Sequence, residues 1–503
     1  MTIAASGPRA LAVCFTSGVA LSLAFPEPSI SPLAWAAIAP LLVVCVGASP
    51  RLGFQRAFVF GAGFFSVLLL WIAAVGWIAW ALLVVMEALL FGVFGLGWAL
   101  ASRTPRSLWV VLAPALWVAV ELVREYVPVV GFPWGQLAQG QVSASFTLPI
   151  PSLTLPVAGI GGGKMVAALV VVVNTCLAIA WLDRGARRLL PVAGGVALLG
   201  LGPLLAAMGP HTDTATEPLR IAIVQGNAGA GVQVEDERAR VERHLTLTSG
   251  IADEDLDLVV WPESSVGIDP TLDTDIAAMI ADAARAADAP MVVGANLEAG
   301  NTDRYMVMTL LVSADGEIVD RYQKTHLVPF GEYIPARGLL GGLPPLQQVP
   351  RDAVAGRDPR NFDVDGTAVA TVISFEGDFG PLVRDRIGLG GRLLVVATNT
   401  STWGRSWASA QHVAMSQVRA AENGVPVVHA ALSGISAAIS DDGRVLADTP
   451  LYEEATLVFE MRPADFVTFY ARTGEWFPLL CVAIAGGGVI AGSRRRVVGT
   501  VTG

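Results

Sequence analysis

Three polar residues each stand just beyond an apolar or strand-like run: Glu263 after "LVVWP", Lys324 after "DRYQ" and Ser374 after "TVI". A carboxylate, an ammonium and a hydroxyl are the parts of covalent acyl transfer. The carboxylate takes the nucleophile's proton, the nucleophile attacks a carbonyl, and the cation stabilises the oxyanion. Taken singly, Glu263 and Ser374 read better as ordinary loop residues. Lys324 does not, because only Lys164 and Lys324 among the 33 basic residues are lysine. A chain that uses arginine almost everywhere keeps a compact point charge here instead of a planar fork. Glu332 in "VPFGE" and Glu376 in "SFE" are further acids near the proposed site. Ser374 lacks the G-x-S-x-G surroundings of a serine triad. The five histidines show no metal-ligand spacing, so neither a metal nor a cofactor is expected, and His326 is read as a structural or substrate-contacting residue.

The elements that must hold these residues are legible between about 218 and 462. "LRIAIVQGN", "LDLVVWPES", "APMVVGANLE", "AVATVISFEG" and "RLLVVATNT" read as buried strands. "TDIAAMIADAARAADA" and "ASAQHVAMSQVRAAENG" read as amphipathic helices, the second ended by Gly424. D-G turns inside "YMVMTLLVSADGEIVDRYQK" and "VVHAALSGISAAISDDGRVL" predict hairpins. Alternation of strands and helices with added hairpins implies a layered α/β domain.

The rest of the chain is of another kind. The 503 residues are 53 % hydrophobic and 15 % charged, too apolar for one soluble globule. Residues 1–210 hold only five of the 43 acids: Glu27, Glu87, Glu121, Glu125 and Asp183. Seven candidate membrane spans precede residue 210, near 8–25, 31–48, 56–75, 77–101, 107–124, 164–182 and 188–208, and an eighth runs over 474–493. Arginines gather after the second, fourth, sixth and eighth spans, at Arg51 and Arg56, Arg103 and Arg106, Arg184 to Arg188, and Arg494 to Arg496. Both termini are therefore expected to be cytoplasmic and the α/β domain extracytoplasmic. Glu87, inside the fourth span, needs a partner or a wet cavity, and both readings stay open. The 125–163 loop is expected outside, where "GFPWGQ" with Trp134 suits a lid or an interface anchor. "GIGGGKM" fails as a phosphate loop, since Ala158 and Met165 occupy required positions. All four cysteines lie in apolar runs, so the α/β domain has no thiol. A net charge of -10 argues against nucleic acid as a partner.

"VVWPES", "YQKTHLVPFGEYIP" and "SFE", in this order, resemble the nitrilase (carbon–nitrogen hydrolase) superfamily. Eight spans with such a domain before the last one resemble the apolipoprotein N-acyltransferase family of bacterial inner membranes. The resemblance covers nearly the whole chain, and "K-x-x-L-V-P-F-G-E" followed by "Y-I-P" is its most specific part. It implies an αββα sandwich on the outer membrane surface, Glu263 as general base, Lys324 as oxyanion stabiliser, and Glu332 and Glu376 as supporting acids. Ser374 occupies the position of that family's nucleophilic cysteine. "NTSTWG", with Asn399 and Trp403, matches a substrate loop. The implied reaction moves an acyl chain from a phospholipid donor to the amine of a diacylglyceryl-cysteine lipoprotein, and a monomer in the membrane is expected. A serine hydroxyl is a far weaker acid than a thiol, and the usual serine enzymes give it an imidazole. Three readings of Ser374 stay open: an engineered trap, a natural enzyme working through an oxygen ester, or a silent lipid- or lipoprotein-binding paralogue. A soluble amidase would leave the membrane spans without a purpose.

Overall fold

In a computed structural model of the chain, the structure describes residues 7–127, 129–142, 154–183, 217–229, 236–300 and 303–495, with isolated positions between 190 and 204. The chain divides into two units, Met1–Gly209 with Thr473–Gly503, and Pro210–Arg472.

Among the described residues of the first unit, four helices are long and apolar enough to cross a membrane: Trp77–Ala101, Arg106–Arg124, Gly163–Leu182 and Trp476–Ser493. Gly7–Ser22 and Pro50–Leu68 are further apolar helices. The expected span at 188–208 falls mostly outside the described residues. The expected span at 31–48 is not one helix. It is a 3-10 turn, Ser31–Trp35, followed by a short helix, Ala39–Cys45. Pro32 and Pro40 each remove a backbone donor, and the break is satisfied from outside. Asn174 Oδ1 accepts from the backbone N–H of Ile38 and Ala39, both at 2.9 Å, and its Nδ2 donates to the Ala34 carbonyl at 2.8 Å. Backbone groups freed in an apolar medium need such partners, and an apolar run in a sequence does not record the break. The expected span at 56–75 likewise becomes the helix Pro50–Leu68 and a 3-10 turn, Leu70–Ala74. Ser49 starts that helix early by accepting from Leu52 N at 3.3 Å, with Pro50 in the first turn. The helices Pro50–Leu68 and Trp77–Ala101 cross where Gly53 meets Gly95. A Cβ on either would collide with the other's carbonyl, the close approach that small residues permit between membrane helices.

Several buried charges of this unit are paired. Glu87 Oε2 lies 2.5 Å from Arg124 Nε with both side chains fully buried, so the carboxylate has a structural partner. Arg124 also donates to the carbonyls of Phe132 and Trp134. Lys164 Nζ stands 2.7 Å from Glu125 Oε1 and 3.3 Å from Glu475 Oε2.

The second unit is built on two mixed sheets. The first holds β1 (Leu219–Gln225), β2 (Leu258–Val266), β3 (Met291–Glu298), β4 (Arg304–Val312), β5 (Ile318–Gln323) and the short β6 (Asp352–Ala353). The second holds β7 (Asn361–Val364), β8 (Thr367–Ile373), β9 (Leu393–Thr398), β10 (Val427–Ala431), β11 (Ala437–Ile439) and β12 (Val445–Asp448). The strand β13 (Ala455–Met461) returns to the first sheet beside β1, giving the order β13-β1-β2-β3-β4-β5 with β6 on β4, against β12-β11-β10-β9-β8-β7 in the second. The central pairs β1–β2, β2–β3, β8–β9 and β9–β10 are parallel. Their residues form near-continuous apolar runs because both faces are covered. Ile221, Ile223, Val260 and Val292 of the first sheet share a core with Val369, Ile373, Val395 and Val428 of the second. On the other face of the first sheet, Val224, Val259, Trp261 and Val293 pack on Val241, Ile276 and Ile280 from the helices Glu237–Ser249 and Thr274–Ala287. The helices Gly380–Gly388 and Ala408–Asn423 belong to the second sheet's half. The layers therefore run helix, sheet, sheet, helix.

Asp273 starts Thr274–Ala287 by accepting from the N–H of Asp275 and Ile276. Gly424 ends Ala408–Asn423 with φ 68°, as expected. That helix turns no face to water, however: all sixteen of its residues are buried. Its polar residues find partners inside the protein, such as Gln417 Nε2 donating to the Gly443 carbonyl at 2.9 Å. A polar face alone does not reveal whether water or protein satisfies it.

Candidate active site

The site begins with the segment that leaves β5. Lys324 follows that strand directly and is completely buried. Its Nζ donates to Glu263 Oε1 at 3.0 Å and to Glu332 Oε1 at 2.5 Å. Glu263 lies on β2, whose pairing with β3 shifts register between Trp261 and Val266. The adjacent Ser264 has φ 59°, so the strand leaves its regular pleat at the proposed base. Glu332 closes the "LVPFGE" turn on itself, its Oε2 accepting from Val328 N at 2.8 Å. Burial by itself would lower the lysine's affinity for its proton. The two carboxylates outweigh it and hold Lys324 above the ordinary lysine value. Burial and the charge of Glu263 push Glu332 up, against the attraction of Lys324. One permanent cation thus sits between two acids of different position.

Ser374 is set by the abrupt end of β8. The strand stops at Ile373 and turns into a single 3-10 turn, Ser374–Asp378. Ser374 itself has φ 51°. A left-handed serine costs on the order of 1–2 kcal/mol, so the surroundings must hold it there. Glu376 does much of this. Its Oε2 accepts from Ile373 N at 2.8 Å, tying the turn to the strand end. Its Oε1 accepts from Thr325 N at 2.7 Å and His326 N at 3.0 Å, the two residues after Lys324. Tyr322 Oη donates to the same carboxylate at 2.8 Å, and Arg386 Nη2 donates to that phenol oxygen at 2.7 Å. Burial, then the charge of Glu376, pushes Tyr322 well above the ordinary phenol value, so it remains a neutral donor. Glu376 thereby fastens the serine turn to the lysine segment. Thr398, the last residue of β9, also donates from Oγ1 to Ser374 Oγ at 3.2 Å.

The remaining expected residues divide between the units. Asn399 follows Thr398 and folds its loop, its Oδ1 accepting from Ser401 N at 3.0 Å and Ser401 Oγ at 2.7 Å. Trp403 ends the next 3-10 turn and is half-buried. Trp134 belongs to the helical unit, where it is 6 % exposed and stacks on Trp71 and Phe132 with ring centroids 4.6 and 6.0 Å away. His326 packs its ring on Phe379 at 4.3 Å. Among the described residues, no group of three or more His, Cys, Asp or Glu could hold a metal. Tyr322, Arg386 and Thr398 escaped sequence reasoning. Tyr322 sits two residues before Lys324, the same-face spacing of a strand, which was the one signal available; Arg386 is a single basic residue in a short helix and offers none.

Residues 17–176 match the "Apolipoprotein N-acyltransferase N-terminal domain" family and residues 220–469 match the "Carbon-nitrogen hydrolase" family. The chain is 33 % identical to the apolipoprotein N-acyltransferase of Geobacter metallireducens, over 94 % of this chain and 93 % of that one. It is 30 % identical to the Gloeobacter violaceus protein of the same name (94 % and 92 % covered) and 28 % identical to that of Vibrio cholerae (97 % and 98 %). Among solved structures, a mutant of the amidase from Nesterenkonia sp. AN1 aligns with 51 % of this chain and 96 % of its own, at 18 % identity and a TM-score of 0.39. A helical unit and a carbon–nitrogen hydrolase unit in one chain, matched along nearly their whole length, place this protein in the apolipoprotein N-acyltransferase family.

Proposed function

We propose that this enzyme transfers an acyl chain from a phospholipid to the N-terminal amine of diacylglyceryl-cysteine lipoproteins, through an oxygen ester on Ser374. The observation that carries this reading is the buried Lys324 held between Glu263 and Glu332, joined through Glu376 to the left-handed turn that bears Ser374.

In the first half-reaction Glu263 takes the proton from Ser374 Oγ, and Oγ attacks the ester carbonyl. Lys324 faces the oxyanion. The carbon–oxygen bond to the glycerol breaks, and the leaving oxygen takes the proton back from Glu263. In the second half the lipoprotein amine attacks the Ser374 ester and gives a proton to Glu263, which returns it to Oγ as that bond breaks. Glu332 keeps Lys324 in place, and Asn399 and Trp403 shape the substrate side. Trp134 steadies the loop after the fifth apolar helix.

We place the enzyme in the cytoplasmic membrane as a multi-pass monomer with eight spans, both termini inside and the hydrolase unit outside. The arginine clusters support this topology, and so does the ion pair of Arg106 with Asp183. That pair joins two helix ends that the charge rule assigns to one side. The direct test is N-acylation of a diacylglyceryl-cysteine peptide by purified protein with phospholipid. Turnover that Ser374→Ala abolishes and Ser374→Cys retains is the expected result; silence in all three proteins would overturn the assignment.

A further inference from the structure

A serine needs more help than a thiol to become a nucleophile, because its hydroxyl is the weaker acid by several orders of magnitude. The structure holds a second line of polar groups that reaches Ser374. Thr398 Oγ1 donates to Ser374 Oγ at 3.2 Å and lies 3.3 Å from His412 Nδ1. The other ring nitrogen, His412 Nε2, stands 3.2 Å from Asp378 Oδ1. Thr398 and Asp378 are completely buried, and His412 is 3 % exposed. Among the described residues, neither carboxylate oxygen of Asp378 has a hydrogen-bond partner. A buried carboxylate is costly without a polar partner, and the His412 ring is the group set against it.

A second buried imidazole makes the contrast. His429 packs edge-on to His412 with ring centroids 5.0 Å apart, and its Nδ1 meets Ser416 Oγ at 2.8 Å. Burial first, then the charge of His412, holds His429 well below the ordinary histidine value, so it stays neutral. Of these two rings, the one beside Asp378 is the one aligned with Ser374.

We infer that Asp378, His412 and Thr398 form a donor chain that stabilises the negative charge developing on Ser374 Oγ, and so adapt this site to a serine. Asp378 faces His412 Nε2, His412 Nδ1 meets Thr398 Oγ1, and the Thr398 hydroxyl donates to Ser374 Oγ. No bond in this chain breaks; the serine proton still leaves to Glu263. Donors aimed at the atom where charge develops act most strongly in a buried site, and charge-assisted hydrogen bonds are the stronger kind. Thr398 touches the reacting atom, while His412 and Asp378 are positioning residues acting through it.

This inference rests on Ser374 being the nucleophile and not on the identity of the acyl acceptor. Its test therefore uses a substrate that needs no acceptor. Full-length protein in detergent is mixed with p-nitrophenyl butyrate, and the burst of p-nitrophenolate reports acylation of residue 374. Thr398→Val, which removes the hydroxyl at equal size, is expected to slow the burst by roughly 10- to 100-fold. Thr398→Ser is expected to restore most of the rate. Asp378→Asn is expected to fall between them. In the Ser374→Cys background the same Thr398→Val change is expected to cost under about 3-fold, because a thiol with a pKa near 8.5 needs less help. Equal losses in the serine and cysteine backgrounds would show a structural role and overturn the inference. So would a full rate in Thr398→Val, or no burst from the Ser374 protein. A normal burst with no transfer to the peptide amine would instead overturn the acyltransferase reading and leave this one standing.

Discussion

The two lysines of this chain sit in matching ion triads with different surroundings. Lys164, in the helical unit, lies between Glu125 and Glu475; Lys324, in the hydrolase unit, lies between Glu263 and Glu332. The difference is in what surrounds each triad. Glu125 spends its remaining contacts on the fold, accepting from Gln136 Nε2 at 2.8 Å. Beside it Glu121 accepts from Leu137 N and Trp117 Nε1, so these acids order the loop after the fifth apolar helix. The Lys324 triad leans on a left-handed Ser374, through a carboxylate that accepts from three backbone N–H groups on two segments. A buried cation between two acids is thus not in itself a catalytic signature. In the proposed reading it becomes one where a left-handed turn tied to the same segment presents the nucleophile.

This contrast is open to breakage at both ends. Lys324→Met is expected to lower peptide N-acylation by at least about 10²–10³-fold, with Lys324→Arg unable to restore it, because a planar fork cannot replace a point charge between these acids. Lys164→Met is expected to act on stability instead, by about 3–5 kcal/mol, while the folded fraction keeps its turnover. Thermal melts and activity normalised to folded protein separate the two. Equal effects on turnover would remove the distinction. Glu376→Ala is expected to lower both, since it strands the N–H groups of Thr325, His326 and Ile373; a stability loss of about 2–4 kcal/mol accompanies a slower acylation.

The pH response sharpens the same point. Lys324 has a folded-state pKa above its unfolded one, so the folded protein holds that proton more tightly. Its contribution to stability is complete below the ordinary lysine value near 10.4 and is lost only as pH rises through the higher folded value. The rate of acyl transfer should therefore show no alkaline fall from this lysine below about pH 10. A fall near pH 8–9 that Lys324→Arg shifts would contradict the buried triad. Gly424→Ala carries the smallest expected effect, about 1–2 kcal/mol. The helix Ala408–Asn423 ends there at φ 68°, and a Cβ would crowd Thr468; chemical denaturation reads it.

Much of the hydrolase unit was legible because its strands are short β-branched runs with turn residues between them. β1, β2, β3, β8 and β9 all fall on runs read as strands, and both D-G turns join antiparallel strands. The strand β7 was missed, although Asp365 and Gly366 make the same turn signal before β8, because four residues are too few to show a period. In the helical unit, hydropathy located the apolar segments and not their breaks. Asn174 supplies the missing bonds of a helix more than 130 positions away in sequence, and no local pattern encodes that. The same holds at the site. Glu263, Lys324 and Glu332 were named from spacing and are joined in space. Thr398, His412 and Asp378 come together only because β9, a buried helix and the serine turn meet.

The most direct measurement of the central claim is the mass of the protein itself. Full-length enzyme incubated with a phospholipid of defined acyl chain, without a lipoprotein acceptor, should gain the mass of one acyl group. Proteolysis should locate it on the peptide carrying Ser374, and added diacylglyceryl-cysteine peptide should discharge it. Ser374→Ala should gain nothing. Peptide acylation that proceeds at full rate in Ser374→Ala, or an acyl group found on another residue, would contradict the account.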